Sequence, residues 1–254
     1  MSPQNAAQPG ECPVTIFELF HPALDDVASP PFTAQDALRR YRQYRAVFPR
    51  TGISVAAQAL RLPAVAEAVQ KRGHSVDAHS YEELALVLAA GIPAQRIVMH
   101  DDGITAGPIR RAVNVGVGRI VLKCCQQVGV LEACAGRPPR VMLDVTTDCI
   151  DDAVAAVLAG PRLDLIGFHA RLKRDARCPA YAETAVEMIS RMAHVRREHG
   201  VILTRISLSG GAILSDRTTA PIVLRGMAAE LDDAFDDACA RYRFPRPALM
   251  LAPR

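Results

Sequence analysis

The chain has 254 residues, 50% hydrophobic and 22% charged, which suits one large globular domain and argues against general disorder. Its 30 basic and 27 acidic residues leave a net charge of +3 without a dominant basic block, so nothing points to nucleic acid. No stretch approaches the roughly 20 apolar residues that span a bilayer, and no charged-then-apolar leader opens the chain, so the expectation is a cytoplasmic protein away from membranes.

Residues 1–30 are rich in Pro, Ala, Gln and Asp and read as a partly disordered lead-in with one apolar run, 14–20. Thr33 is an expected N-cap, with Asp36 in the first turn, and the helix it opens carries Leu38, Tyr41, Tyr44 and Val47 at helical spacing until Pro49 stops it. The chain then alternates. Short β-branched runs at 53–58, 75–79, 96–100, 119–123, 140–147, 163–170, 205–211 and 248–253 make eight strand candidates separated by helix-period segments. Ser80 and Glu83 predict a capping box, and Gly91, Gly160 and Gly200 predict helix stops.

Eight nearly continuous apolar strands separated by helices predict parallel pairing with right-handed crossovers, and hence an α/β fold closed as a (β/α)8 TIM barrel over 31–254. An open doubly wound sheet would want a glycine-rich first turn, and Gln58-Ala59-Leu60 is not one. In a barrel, strand C-terminal ends face the functional mouth, which makes Gln58, His79, His100, Lys123, Thr147, His169, Ser209 and Ala252 the short list.

The motifs then become specific. Gln58-Ala59-Leu60, Asp77-Ala78-His79-Ser80 with Glu83, the run ending Met99-His100, Gly116-Val117-Gly118-Arg119, Gly167-Phe168-His169 and Ser209-Gly210-Gly211 follow one another in an order and spacing that resembles a known family. That family is the barrel domain of the PLP-dependent diaminopimelate and ornithine decarboxylases, an alanine-racemase-like, PLP-binding barrel. The resemblance implies PLP as cofactor, carboxy-lyase activity, a role beside the cofactor for His169, and a phosphate loop at Ser209, Gly210 and Gly211.

It also locates departures. The family lysine that forms the Schiff base falls at Gln58, whose amide nitrogen is delocalised and not nucleophilic. Arg171 stands where the family has a second histidine, and Lys173 and Arg174 replace its small turn. The last strand ends Ala252-Pro253-Arg254, without the family glutamate that contacts the pyridinium nitrogen, and without a following β-rich domain. The expectation is a degenerate homologue binding a small anionic ligand or a partner, with association as a homodimer or hetero-complex. Arg171 joins the glycine turn as an anion-binding candidate. The alternative is an active lyase using a relocated lysine, Lys123, a companion subunit, or PLP-independent chemistry at the histidines. Asp77, Asp144, Asp101 and Asp102 are acid–base candidates, and Asp144 is as well suited to a structural role. The seven cysteines show no metal-ligand spacing, and reduced, buried thiols, with Cys124 and Cys125 beside Lys123, are expected; no metal site is predicted.

Overall fold

A computed structural model describes residues 33–100, 106–146, 149–216 and 218–253. The lead-in 1–30, Asp101, Asp102, Thr147 and Arg254 therefore lie outside the described residues. Helix α1, Ala34–Val47, begins at Thr33, whose hydroxyl accepts from the Asp36 N–H while the Asp36 carboxylate accepts from the Thr33 N–H, a complete capping box. The barrel follows as β1 (Gly52–Ala56), α2 (Pro63–Arg72), β2 (Ser75–Ala78), α3 (Tyr81–Ala89), β3 (Ile97–His100), α4 (Ala106–Val115) and β4 (Arg119–Leu122). It continues through α5 (Cys125–Glu132), β5 (Arg140–Asp144), α6 (Ile150–Ala159), β6 (Leu165–Leu172), α7 (Cys178–His199), β7 (Arg205–Gly210), α8 (Gly211–Ser215), α9 (Pro221–Tyr242) and β8 (Ala248–Ala252).

The eight strands pair in parallel in sequence order, and β1 closes onto β8 with Gly52 opposite Met250 and Ile53 opposite Leu251. The register between β5 and β6 shifts after Val141, so that Leu165 and then Gly167 face successive residues of β5. Gly167 is required at this step, because a Cβ there would stand 1.9 Å from the Arg205 carbonyl oxygen.

Two apolar cores follow from the two strand faces. The outward faces pack under the helices in one large cluster that includes Tyr44, Phe168, Tyr181 and Phe235. The inward faces of β3 to β6 contribute a second cluster, Val98, Val121, Met142 and Ile166. At the next inward position of those strands the filling changes to His100, Lys123, Asp144 and His169. Above an apolar plug, the barrel interior is therefore polar.

Three expectations need correction. The first strand stops at Ala56, and Gln58 lies in the 3-10 turn Ala57–Arg61 that follows it. Ser80 does cap α3, accepting from the Glu83 N–H at 3.2 Å, but the Glu83 carboxylate accepts from the His79 N–H at 2.7 Å, one residue earlier than the reciprocal arm of a capping box. Of the six described cysteines, Cys134 alone is buried; Cys124, Cys125, Cys149, Cys178 and Cys239 are partly exposed. All six are free thiols. Among the described residues no helix is long and apolar enough to cross a membrane.

Candidate functional site

The polar layer inside the barrel is built from short side chains of alternating strand positions that converge on three imidazoles. Asp77 on β2 is 4% exposed and accepts a hydrogen bond from the Ser54 hydroxyl of β1 at 2.5 Å. Its other carboxylate oxygen stands 3.5 Å from His100 Nε2, a separation at the outer edge of hydrogen bonding. Nε2 makes no hydrogen bond among the described residues, so the attraction between the pair is mainly electrostatic. Burial on its own raises the Asp77 carboxyl, but His100, Ser54 and His79 together outweigh it and hold the group at about 2.

His100 is the centre of a stack. Its ring lies 4.3 Å from that of His79, nearly parallel, and 4.8 Å from that of His169, edge to face. His169 is 1% exposed and uses both nitrogens: Nδ1 is 3.1 Å from the Ser207 hydroxyl and Nε2 is 3.2 Å from the Ser209 hydroxyl. Burial, then the neighbouring His100, holds this imidazole well below the usual histidine range. A neutral ring has one donor and one acceptor, and two hydroxyls satisfy both in either tautomer. Among the described residues no group of three or more His, Cys, Asp or Glu is placed to hold a metal ion, and the three histidines form a stack and not a chelate.

Arg171 completes the layer. In the ladder it pairs with Ser209, which puts it on the same inward row as His169. Its guanidinium donates from Nη2 to His79 Nδ1 at 3.1 Å. His79 follows β2 and Arg171 belongs to β6, and these strands stand on opposite sides of the eight-strand ring. This hydrogen bond therefore crosses the full mouth of the barrel. A guanidinium has no acceptor to offer, so Nδ1 is the accepting atom of this bond.

Other site candidates lie around this bridge. Gln58 is exposed, and its side-chain amide donates to Glu83 at 2.9 Å, so Glu83 joins the first barrel turn to the backbone of His79. Lys123 sits at the C-terminal end of β4, partly buried, with its backbone N–H donating to Gln127. Lys173 and Arg174 are exposed in the turn between β6 and α7 and do not join the buried layer. Asp144 is buried and accepts from both the N–H and the hydroxyl of Thr146, which makes it the anchor of a local turn. Cys124 precedes α5 at the N-cap position without a side-chain capping hydrogen bond, and Cys125 is the first residue of the helix.

At the glycine turn, Gly210 and Gly211 both have positive φ, 72° and 73°. Packing alone demands glycine here, since a Cβ on Gly211 would stand 2.1 Å from the Tyr181 hydroxyl. That hydroxyl donates to the Gly210 carbonyl and accepts the Leu214 N–H, and the Ala212 N–H goes to the Ala176 carbonyl. Two amides of the turn are thus engaged within the protein.

The sequence did not single out Ser54, Ser207 or Glu83 for this site. Ser207 was within reach, since it precedes Ser209 by one strand period and so shares its face. Glu83 was masked by its ordinary role as a capping residue.

Comparison with known proteins places this geometry in context. Residues 34–157 match the family model described as pyridoxal-dependent decarboxylase, pyridoxal binding domain. A diaminopimelate decarboxylase of Actinosynnema pretiosum is 28% identical over 241 residues, covering 84% of this chain and 54% of the relative. One from Mycobacterium leprae is 26% identical, covering 79% and 50%. The crystal structure of diaminopimelate decarboxylase from M. jannaschi superposes with a TM-score of 0.74 at 14% identity, over 87% of this chain and 59% of that one. This chain spans about half the length of the curated relatives it matches. It is a homologue of the barrel domain of the PLP-dependent decarboxylases.

In this conformation the residues present do not fit PLP. Gln58, where the sequence resemblance would put an imine-forming lysine, carries an amide bonded to Glu83. His169 and Ser209, which the resemblance would set beside a cofactor, are 1% and 2% exposed and are bonded to each other. Ala252, where the resemblance would put a glutamate, is a buried apolar residue with nothing to offer a ring nitrogen.

Proposed function

We propose that this barrel is a non-catalytic homologue of the decarboxylase barrel that binds a small anionic ligand at its mouth without a covalent cofactor link. The single observation that carries the reading is the amide at position 58, turned aside and held by Glu83. A carboxamide cannot condense with an aldehyde, so transimination at this position has no nucleophile. The guanidinium of Arg171, fixed at the mouth by His79, supplies a cation suited to a carboxylate or phosphate.

The test is to incubate purified protein with PLP, reduce with borohydride and map pyridoxyl adducts by mass spectrometry, in parallel with calorimetric titration of inorganic phosphate. The reading expects no site-specific adduct on Lys71, Lys123 or Lys173 and saturable phosphate binding that Arg171→Gln weakens. A stoichiometric adduct at Lys123 would instead favour a lyase with a relocated lysine, a reading that rests on the placement of Lys123 at the end of β4. Absence of any anion binding would remove the ligand half of the proposal.

A further inference from the structure

Positive charge forms no block along this sequence, yet the fold gathers it at one end. In a parallel barrel the segments that lead from each helix into the next strand all lie at the N-terminal end of the strands, opposite the mouth. Here those segments carry Arg50, Arg96, Arg137, Arg162, Arg243 and Arg246 against one carboxylate, Asp164. Arg246 is neutralised by Asp232 and Asp236. Arg96 instead donates to the Val69 and Gln70 carbonyls, and Arg162 to the Gly136 carbonyl, which satisfies their N–H groups without cancelling a full charge.

Three more arginines enter the floor of the barrel itself. Arg119 and Arg140 stand two residues before Val121 and Met142, on the same inward faces as that apolar plug, and are direct partners in the ladder. Arg205 stands two residues before Ser207 on β7 and so shares its inward face. Arg119 reaches past β3 to donate to the Ser75 hydroxyl of β2 at 2.6 Å. Burial, then the like charge of Arg205 and also that of Arg140, pull the Arg119 guanidinium below the usual arginine range, while Asp77 in the layer above acts the other way. The ion pair of Arg140 with Asp164, at 3.6 Å, has both side chains more than 60% exposed and is screened by solvent. Gly52 and Ala248, exposed at the starts of β1 and β8, add no bulk to the floor. The same surplus reaches His74, just before β2, which burial, then Arg45, Arg72 and Arg96, push down to about 4.

We propose that the floor of the barrel is a binding site for a small diphosphate-type oxyanion, held by Arg119 and Arg205 with Arg140 and the Ser75 hydroxyl beside them. Guanidinium groups from β4 and β7, three strands apart in the ring, converge on one space and offer paired donors to an anion with several oxygens. A bound oxyanion offsets the repulsion among like charges that the fold otherwise holds together. The apolar plug separates this site from the mouth, so it stands or falls independently of the anion reading made there.

Inorganic pyrophosphate, titrated calorimetrically at constant ionic strength into Arg171→Gln protein, tests the floor with the mouth cation removed. One saturable site per chain is expected. Adding Arg119→Gln or Arg205→Gln is expected to weaken it at least about tenfold, the cost of losing a charge-assisted hydrogen bond. Adding Arg39→Gln, which removes an equal charge from an exposed position on α1, is expected to change it less than about twofold. Circular dichroism shows which variants are folded, and either floor variant suffices. Absence of saturable binding in the Arg171→Gln protein overturns the floor site, whether or not the unmodified protein binds an anion at its mouth. Undiminished binding in a folded floor variant overturns it too, and an equal loss with Arg39→Gln reduces it to a diffuse field.

Discussion

Replacing Asp77 by Asn isolates the electrostatic part of the polar layer. Asparagine preserves the size of the side chain and an oxygen for the Ser54 hydroxyl, but it removes the negative charge that faces His100. The carboxyl falls from 3.8 to about 2 on folding, because His100 and Ser54 overcome the opposing effect of burial. At about 1.4 kcal/mol per pH unit, that drop corresponds to stability on the order of 2–3 kcal/mol. The sign follows from the direction: a carboxyl held low contributes fully above its unfolded value of 3.8 and loses its contribution as pH falls toward about 2. Urea denaturation of both proteins across this range is the assay. The expected gap is on the order of 2–3 kcal/mol near neutral pH, closing progressively below about pH 4. A gap that stays constant as the solution is acidified would refute the reasoning, since a purely steric defect does not titrate.

Three further outcomes follow from the same geometry. Gly211→Ala forces a Cβ against the Tyr181 hydroxyl at a backbone φ of 73° and should lower stability by about 2 kcal/mol or more, measured by thermal denaturation. Arg40→Ala removes donations to the Thr219 and Asp216 carbonyls and to the Tyr44 hydroxyl, so a loss of about 1–3 kcal/mol and faster amide exchange confined to α1 and 216–219 are expected. Gln58→Lys should remain folded, with an ion pair to Glu83 in place of the present hydrogen bond. Borohydride trapping is then expected to give no stoichiometric PLP adduct at position 58, and such an adduct, mapped by mass spectrometry, would contradict a mouth that no longer fits the cofactor.

The parts of this protein that were legible in its sequence are those set by short-range rules. The Thr33 cap and its Asp36 partner, the glycine stops at Gly160 and Gly200, and the alternation of strand and helix all depend on neighbours within a few residues. Counting strands then led to closure, because eight parallel strands with helical crossovers satisfy every edge only as a barrel. The chemical character of position 58 was equally plain, since no conformation turns an amide into an imine-forming amine. Tertiary structure decided what surrounds that position. Gln58 and Glu83 are 25 residues apart, and their contact needs β1 and β2 in register. His79 and Arg171 are 92 residues apart on opposite sides of the ring, and only closure of the barrel brings a guanidinium from one to an imidazole on the other. Sequence spacing carries no trace of such a contact, because it depends on the diameter of the barrel and the pointing of two side chains. That is why the residues of the mouth could be named in advance while the bridge that covers them could not.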